Sequence, residues 1–198
     1  MPMANSAQRT GCLATLPAHD QERSHMNVDD YASDTNSCLV VAPSKVNGLG
    51  LFSREEISKG HIVGRCNGLI LSTPNKRTIQ IERRRHITSH YIDFINHQCR
   101  PTTCVRVEGN SIALYAIEYI SARNDEITID YNCSEYSLAE SFFCRCCRPQ
   151  NHICGYSHLI ETSQTDYLRR IEQFALPHLL ELGINAKGVD RHSADRPY

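Results

Sequence analysis

Between residues 91 and 103 the chain reads YIDFINHQCRPTT. An apolar run stops at Asn96, His97, Gln98, Cys99, Arg100 and Pro101, so an amide, an imidazole and a thiol fall within four positions. An amide donates and accepts, a neutral imidazole carries one donor and one acceptor, and a thiolate ligates zinc. Such a segment can hold a polar ligand, hold a metal or hold a turn. A second concentration of reactive groups lies downstream. Cys144, Cys146, Cys147 and Cys154, four of the ten cysteines, crowd into residues 144–154. Disulfide scaffolds of secreted proteins spread their cysteines through short chains; a tight cluster in a reducing compartment points to metal.

The remaining sequence says what must position these groups. A chain of 198 residues is long enough to bury a core without staples. Net charge is −1 with 40% apolar residues, so no global field argues for a nucleic-acid partner. No apolar run approaches the roughly 18 residues of a membrane helix, and the first thirty residues lack a basic stretch followed by an apolar one. The expectation is a cytoplasmic or nuclear protein, not a secreted or membrane one. Residues 1–36 have no periodicity and are read as a flexible leader. From Cys38 onward short β-type runs follow one another: CLVVAP closed by Pro43, LGLFS, HIVGRCNGLIL, YIDFI, TTCVRV, SIALYAIEYI and EITIDY. Glu108-Gly109-Asn110 reads as a hairpin turn, and SIALYAIEY is apolar on both alternating faces, as in a strand covered on both sides. Ser72-Thr73-Pro74 resembles a helix start, which predicts a short helical or irregular basic segment after it. The run Arg83-Arg84-Arg85-His86 is then a solvated helix face, with a patch orienting an acidic substrate or nucleic acid near the groove as the alternative. Thr165 is placed as a cap for a helix carrying Leu168, Ile171, Phe174 and Ala175, interrupted by Pro177. The fold class is mostly β with a C-terminal helical tail.

At this point a family resemblance emerges. Asn96-His97-Gln98-Cys99-Arg100-Pro101 resembles the NHSCxPN signature of SET-domain methyltransferases. Gly48-Leu49-Gly50-Leu51-Phe52 with Ile57-Ser58-Lys59-Gly60 resembles their opening block, ISARNDEITIDY (120–131) their closing block, and Phe142-Phe143-Cys144-Arg145-Cys146 the start of their cysteine-rich post-SET segment. The four occur in family order over about residues 38–160. The compact bacterial and fungal type is most similar, since Ile153-Cys154-Gly155-Tyr156 fits its stretch after the cysteines. The resemblance implies small curled β-sheets with a pseudoknot-like chain crossing. It divides the chain into the leader 1–36, a catalytic domain 37–138 with a short insert at about 72–90, a post-SET-like segment 139–160 and a helical tail 161–198.

It also implies chemistry: transfer of a methyl group from S-adenosylmethionine to an amine, normally a lysine of a protein or peptide. Tyr131 takes the place of the catalytic tyrosine. Gly48, Leu49, Gly50, Asn96, His97, Tyr131 and Phe142 fall at cofactor positions, the glycines because a Cβ would block the cofactor's methionine end. Cys99, Cys144 and Cys146 match structural zinc ligands, with Cys154 expected as the fourth and His152 or Cys147 as substitutes. The departures concern the substrate side. Asn151 stands where the family has its fourth cysteine, Cys66 where a tyrosine usually lines the site, Gln98 where a serine sits, and the insert is short. A small-molecule substrate handled by a repurposed scaffold (an isomerisation or cyclisation) and a non-catalytic peptide-binding module therefore remain as alternatives.

Overall fold

The computed structural model describes residues 38–147 and 150–186. The expected leader and the tail beyond residue 186 lie outside the described residues. The chain alternates short strands with turns before ending in helices. The strands are β1 (Leu39–Pro43), β2 (Leu49–Ser53), β3 (Ile62–Asn67), β4 (Leu69–Leu71), β5 (Ile79–Glu82), β6 (Arg85–Thr88), β7 (Asn96–His97), β8 (Thr103–Glu108), β9 (Ser111–Ala116), β10 (Glu126–Ile129), β11 (Phe142–Phe143) and β12 (His152–Ile153). The helices are α1 (Tyr156–Glu161), α2 (Thr165–Ile171) and α3 (Pro177–Ala186). Mostly β with a helical end is the architecture the sequence predicts. None of these helices is long and apolar enough to cross a membrane.

Four small sheets result: β1-β2-β10-β7, β3-β9-β8, β4-β6-β5 and β11-β12. Small sheets suit strands of two to six residues, each of which buries one face against another sheet. Ile112, Ala113 and Leu114 of β9 are all buried, as the two-sided apolar pattern predicts. Leu51, Ile127, Ile87 and Ile120 complete a shared core, and Leu159, Leu176 and Leu179 of the helices join it.

The site depends on β10. It pairs antiparallel with β2 on one side and parallel with β7 on the other, matching Thr128 to Asn96 and Ile129 to His97. The chain leaving β10 is then gripped by distant segments. The Tyr131 hydroxyl donates to the Ile95 carbonyl at 2.7 Å, and the Tyr136 N–H donates to Gln80 Oε1 at 2.8 Å. The C-terminal helices close over the same segment: Leu176 N–H donates to the Cys133 carbonyl at 3.0 Å, and the Tyr167 hydroxyl donates to Asp130 Oδ2 at 2.7 Å.

Three local expectations change. The 72–90 insert is a hairpin rather than a helix: β5 and β6 pair Ile79 with Ile87 and Gln80 with His86. Burying Ile79, Ile81 and Ile87 needs the alternation of a strand, which the start-like Ser72-Thr73-Pro74 cannot override. Arg83 and Arg84 are consequently the exposed tip of a turn, while His86 is buried. YIDFI holds a single 3-10 turn, Ile92–Phe94, because Ile92 and Ile95 are buried three positions apart and that turn places them on one side. Thr165 begins α2 without capping it; the N-cap position is Gln164 and makes no side-chain cap bond. Pro177 opens α3, where its missing N–H has no intrahelical acceptor to satisfy.

Candidate active site

Two hollows meet at one wall. The first, about 310 Å³, is lined by Val46, Asn47, Asn96, His97, Phe143 and Arg145, together with Tyr131 and Phe142. The second, about 190 Å³, is lined by the buried Ile79, Ile92, Ile95, Ile129 and Glu135 and by the more exposed Lys76, Arg77 and Glu140, again with Tyr131 and Phe142. Only the two rings of the shared wall see both spaces. His97, Tyr131 and Phe142 form an edge-to-face cluster, with ring centroids 5.4 Å (His97–Tyr131), 5.6 Å (His97–Phe142) and 6.0 Å (Tyr131–Phe142) apart.

His97 is buried and neutral. Its Nδ1 accepts the Tyr131 N–H at 3.2 Å, so Nε2 carries the hydrogen and points at Cys99 Sγ, 3.4 Å away. Burial pulls its pKa down to about 4. Burial also holds the Tyr131 phenol well above its ordinary value, so it remains a donor at any physiological pH. Arg145 is then the one permanent cation on the first hollow among the described residues.

Asn96 lines the first hollow and also has a structural task. Its Nδ2 lies 3.2 Å from Ser44 Oγ, 3.2 Å from the Asn47 carbonyl, 3.0 Å from the Leu49 carbonyl and 2.6 Å from Glu126 Oε1. The side-chain amine therefore fastens the β1–β2 connection, which carries Val46 and Asn47 to the hollow. Ser44 and Glu126 complete the clamp, with Ser44 Oγ donating to Glu126 Oε2 at 2.6 Å. The two glycines serve this turn. Gly48 has φ +51°, a conformation that side chains resist, with nothing crowding a Cβ. At Gly50 the requirement is space, since a Cβ would collide with the Glu126 carboxylate and stand 3.0 Å from Ser44 Cβ. Neither glycine nor Leu49 lines the hollow; they shape the loop that does. The sequence alone missed Ser44 and Glu126. A carboxylate 82 positions beyond Ser44 leaves no local signal of that bond.

The sulfurs lie behind this wall. Cys99, Cys144 and Cys146 converge with His97, all four donor atoms lying within 4.8 Å of one another. Cys147, read as a substitute ligand, joins them at 3.0 Å from Cys144 and 3.8 Å from Cys99, which itself is 3.7 Å from Cys144. Thiolates held 2.3 Å from a tetrahedral zinc stand about 3.8 Å apart, a spacing that the Cys99–Cys144 and Cys99–Cys147 pairs meet and the closer Cys144–Cys147 pair would reach by opening. Asn151 donates from its side chain to Cys99 Sγ and from its backbone to Cys144 Sγ, each at 3.3 Å. Burial pushes the Cys99 and Cys147 thiols up to about 11. Cys154 does not reach this group. On β12 the buried Ile153 packs on Cys99 and Cys144, so its neighbours His152 and Cys154 face the other way. Cys66, at the place of the family's tyrosine, is fully buried in the core and lines neither hollow.

The chain is similar to known proteins over part of its length. Residues 48–132 match the family model described as SET domain. These residues are a SET domain. No curated protein sequence matches the chain. Among solved structures, KRYPTONITE in complex with mCHG DNA and SAH is 24% identical, covering 57% of this chain and 28% of that one, with a TM-score of 0.46. KRYPTONITE with mCHH DNA, H3(1-15) peptide and SAH is 23% identical at a TM-score of 0.45, covering 57% and 29%. A candidate histone methyltransferase of Plasmodium falciparum is 26% identical at a TM-score of 0.39, covering 48% of this chain and 94% of its own. The chain thus spans less than a third of KRYPTONITE. The SET domain contributes Asn96, His97 and Tyr131, while Phe142 and the 144–147 thiols follow it.

Proposed function

We propose that the protein transfers a methyl group from S-adenosylmethionine to an amine, and that the amine is the side chain of a lysine in a protein or peptide. One observation carries the reading: in and beside a SET domain, Tyr131 and Phe142 form the single wall between two hollows, one holding His97 and Arg145 and the other with isoleucines in its buried part and charged side chains nearer solvent. A methyl transfer between two bound molecules needs that layout, with donor and acceptor on opposite sides of an aligned, dry junction.

The polar hollow suits the cofactor. Bound there, S-adenosylmethionine supplies the methyl group on its sulfonium. The neutral His97 does not repel that cation, the aromatic faces attract it, and Arg145 complements a carboxylate. The apolar hollow suits the acceptor. In its buried part Ile79, Ile92, Ile95 and Ile129 disfavour an ammonium and so favour the neutral amine that attacks, while Glu140, on the exposed side, can meet an ammonium before it enters. The Tyr131 ring faces the point of reaction, and its hydroxyl, anchored on the Ile95 carbonyl, has a lone pair left to orient an N–H.

The donor geometry supports zinc on Cys99, Cys144 and Cys146, with Cys147 or His97 as the fourth donor in the role expected of Cys154. Its part would be structural, fastening residues 144–147 to the end of β7 and keeping Phe142 against Tyr131.

Isothermal calorimetry with S-adenosylmethionine tests the cofactor: the expected micromolar dissociation constant is about −8 kcal/mol. Labelled methyl transfer to a lysine peptide tests the acceptor. No binding heat together with no thermal shift sinks the proposal. A second reading, turnover of a small metabolite on the same scaffold without methyl transfer, is favoured by the burial of Cys66 in the core, which leaves Tyr131 the one tyrosine on the apolar hollow among the described residues. A methyl-free product that survives Tyr131→Phe would select it.

A further inference from the structure

The polarity of β12 that removes Cys154 from the first sulfur group places it in a second one. His152 and Cys154 flank the fully buried Ile153, so both project from the opposite face of the strand. Gly155 follows with φ +108°, a backbone shape in which a Cβ would come within 2.7 Å of the Tyr136 carbonyl. That turn is pinned by Leu138 N–H donating to the Cys154 carbonyl at 2.8 Å and Tyr156 N–H donating to the Glu135 carbonyl at 2.8 Å. The chain therefore doubles back at once into α1, and α1 returns His158 over β12. The Cys154 thiol and His152 Nδ1 are 3.3 Å apart, the His152 and His158 rings meet edge-to-face at 5.6 Å, and the three donor atoms lie within 4.8 Å of one another.

We propose that His152, Cys154 and His158 form a second, independent site for a borderline divalent transition ion, zinc above all, with its fourth position open to water or an incoming ligand. Two imidazoles and one thiolate are the donor set such ions prefer, and oxygen-seeking Mg²⁺ or Ca²⁺ finds nothing here. Around a tetrahedral ion with bonds of about 2.0 Å to nitrogen and 2.3 Å to sulfur, a nitrogen and a sulfur stand about 3.5 Å apart. The Cys154–His152 pair already has that spacing, and a side-chain rotation brings His158 in. All three residues are half-buried, so the donors are held by packing while one side stays accessible. Phe143 stacks on His152 with centroids 4.5 Å apart and planes 16° from parallel, fixing the ring that must present its nitrogen. Ile153 between the two sulfur groups means that no single ion serves both. An ion here would tie β12 to α1, and through the β11-β12 pairing would stiffen the hairpin that carries Phe142.

Cobalt(II) titration of the full chain, stripped of metal under reductant, tests the site. The thiolate-to-cobalt absorption band is expected to grow in two steps, one ion each, the first richer in thiolate than the second. His158→Ala and Cys154→Ser are each expected to lose one ion and keep the thiolate-rich step, while Cys146→Ser weakens that step and keeps the other. Zinc X-ray absorption on the unaltered protein checks the assignment without any variant: with two sites loaded, the averaged shell contains nitrogen from two imidazoles alongside sulfur. A single ion per unaltered chain, or His158→Ala retaining both ions with a native circular dichroism spectrum, overturns the proposal. So does a sulfur-only shell.

Discussion

The polar hollow and the apolar hollow share Tyr131 and Phe142 but are fixed by different forces. Around the polar one, a chain of directional bonds crosses long stretches of sequence: Ser44 to Glu126 at 2.6 Å, Asn96 to Glu126 at 2.6 Å, and the Tyr131 N–H to His97 at 3.2 Å. Around the apolar one, isoleucines from β5, from the 3-10 turn and its end, and from β10 supply shape through packing. Hydrogen bonds fail abruptly when a partner is displaced by an ångström, whereas packed aliphatics lose energy in proportion to the volume removed. The donor side of a methyl transfer must hold one fixed molecule, and the acceptor side must admit and release a chain. The two constructions match those demands, and substitutions can separate them.

The largest effect is expected at the shared wall. Tyr131→Phe keeps the ring between the hollows and removes only the hydroxyl that orients the acceptor, leaving the Ile95 carbonyl without its donor. Methyl transfer is expected to fall roughly 10²- to 10³-fold, the usual loss for one positioned hydrogen-bond donor in a reaction site. Cofactor binding measured by calorimetry should stay close to that of the unaltered protein. Loss of cofactor binding with equal severity would mean that the wall belongs to the polar side alone.

A smaller and purely donor-side effect is expected from Gly50→Ala. The added methyl group meets the Glu126 carboxylate, so the clamp among Ser44, Asn96 and Glu126 must open. Overpacking of this kind costs about 1–3 kcal/mol, readable by denaturant unfolding. Cofactor affinity should weaken with it, because Val46 and Asn47 ride on the displaced connection, while the isoleucine hollow is untouched. Unchanged affinity in a destabilised variant would break the link between clamp and hollow.

The same contrast explains what the sequence made legible. Strand positions were readable because Pro43, Gly109 and the β-branched runs mark them locally. The convergence of the segments around residues 48, 97, 131 and 142 was readable only through the family resemblance, since parallel pairing of β10 with β7 leaves no signal in periodicity; Val46 and Asn47, not Gly48 itself, bring the first of them to the hollow. Roles were less legible where a side chain acts at a distance. Asn96 reads as a ligand-binding amide, and nothing local in the sequence shows that Glu126, thirty positions on, accepts from it as well. The 72–90 hairpin was masked by three arginines that suit a helix face equally well, and the pairing of Ile79 with Ile87 decided it. Cys154 was misdirected by spacing alone, because counting residues between cysteines says nothing about which face of β12 each occupies.

The smallest effect per unit change concerns charge beneath the apolar hollow. Glu135 is buried, and burial raises its pKa from an ordinary 4.5 to about 8. One oxygen accepts the Gln80 N–H at 2.7 Å; the other faces His86 Nδ1 at 3.7 Å, too far for a hydrogen bond. Burial lowers the His86 pKa, so near neutrality both groups are uncharged and no ion pair holds them. A carboxyl whose pKa is higher folded than unfolded stabilises the protein fully below its unfolded value and loses that contribution as pH rises through its folded one. Between about pH 4.5 and pH 8 this single proton should lower stability by roughly 1.4 kcal/mol per pH unit. Glu135→Gln keeps the oxygen that Gln80 needs and mimics the protonated acid. Near pH 5 the variant should be close to the unaltered protein, and it should become progressively the more stable of the two as pH rises to about 8, the difference levelling off above that. Denaturant unfolding at intervals from pH 5 to 9 reads the difference directly. Parallel pH profiles would show that Glu135 ionises as an exposed carboxylate does, and the apolar hollow would then carry a negative charge able to hold an ammonium rather than release a neutral amine.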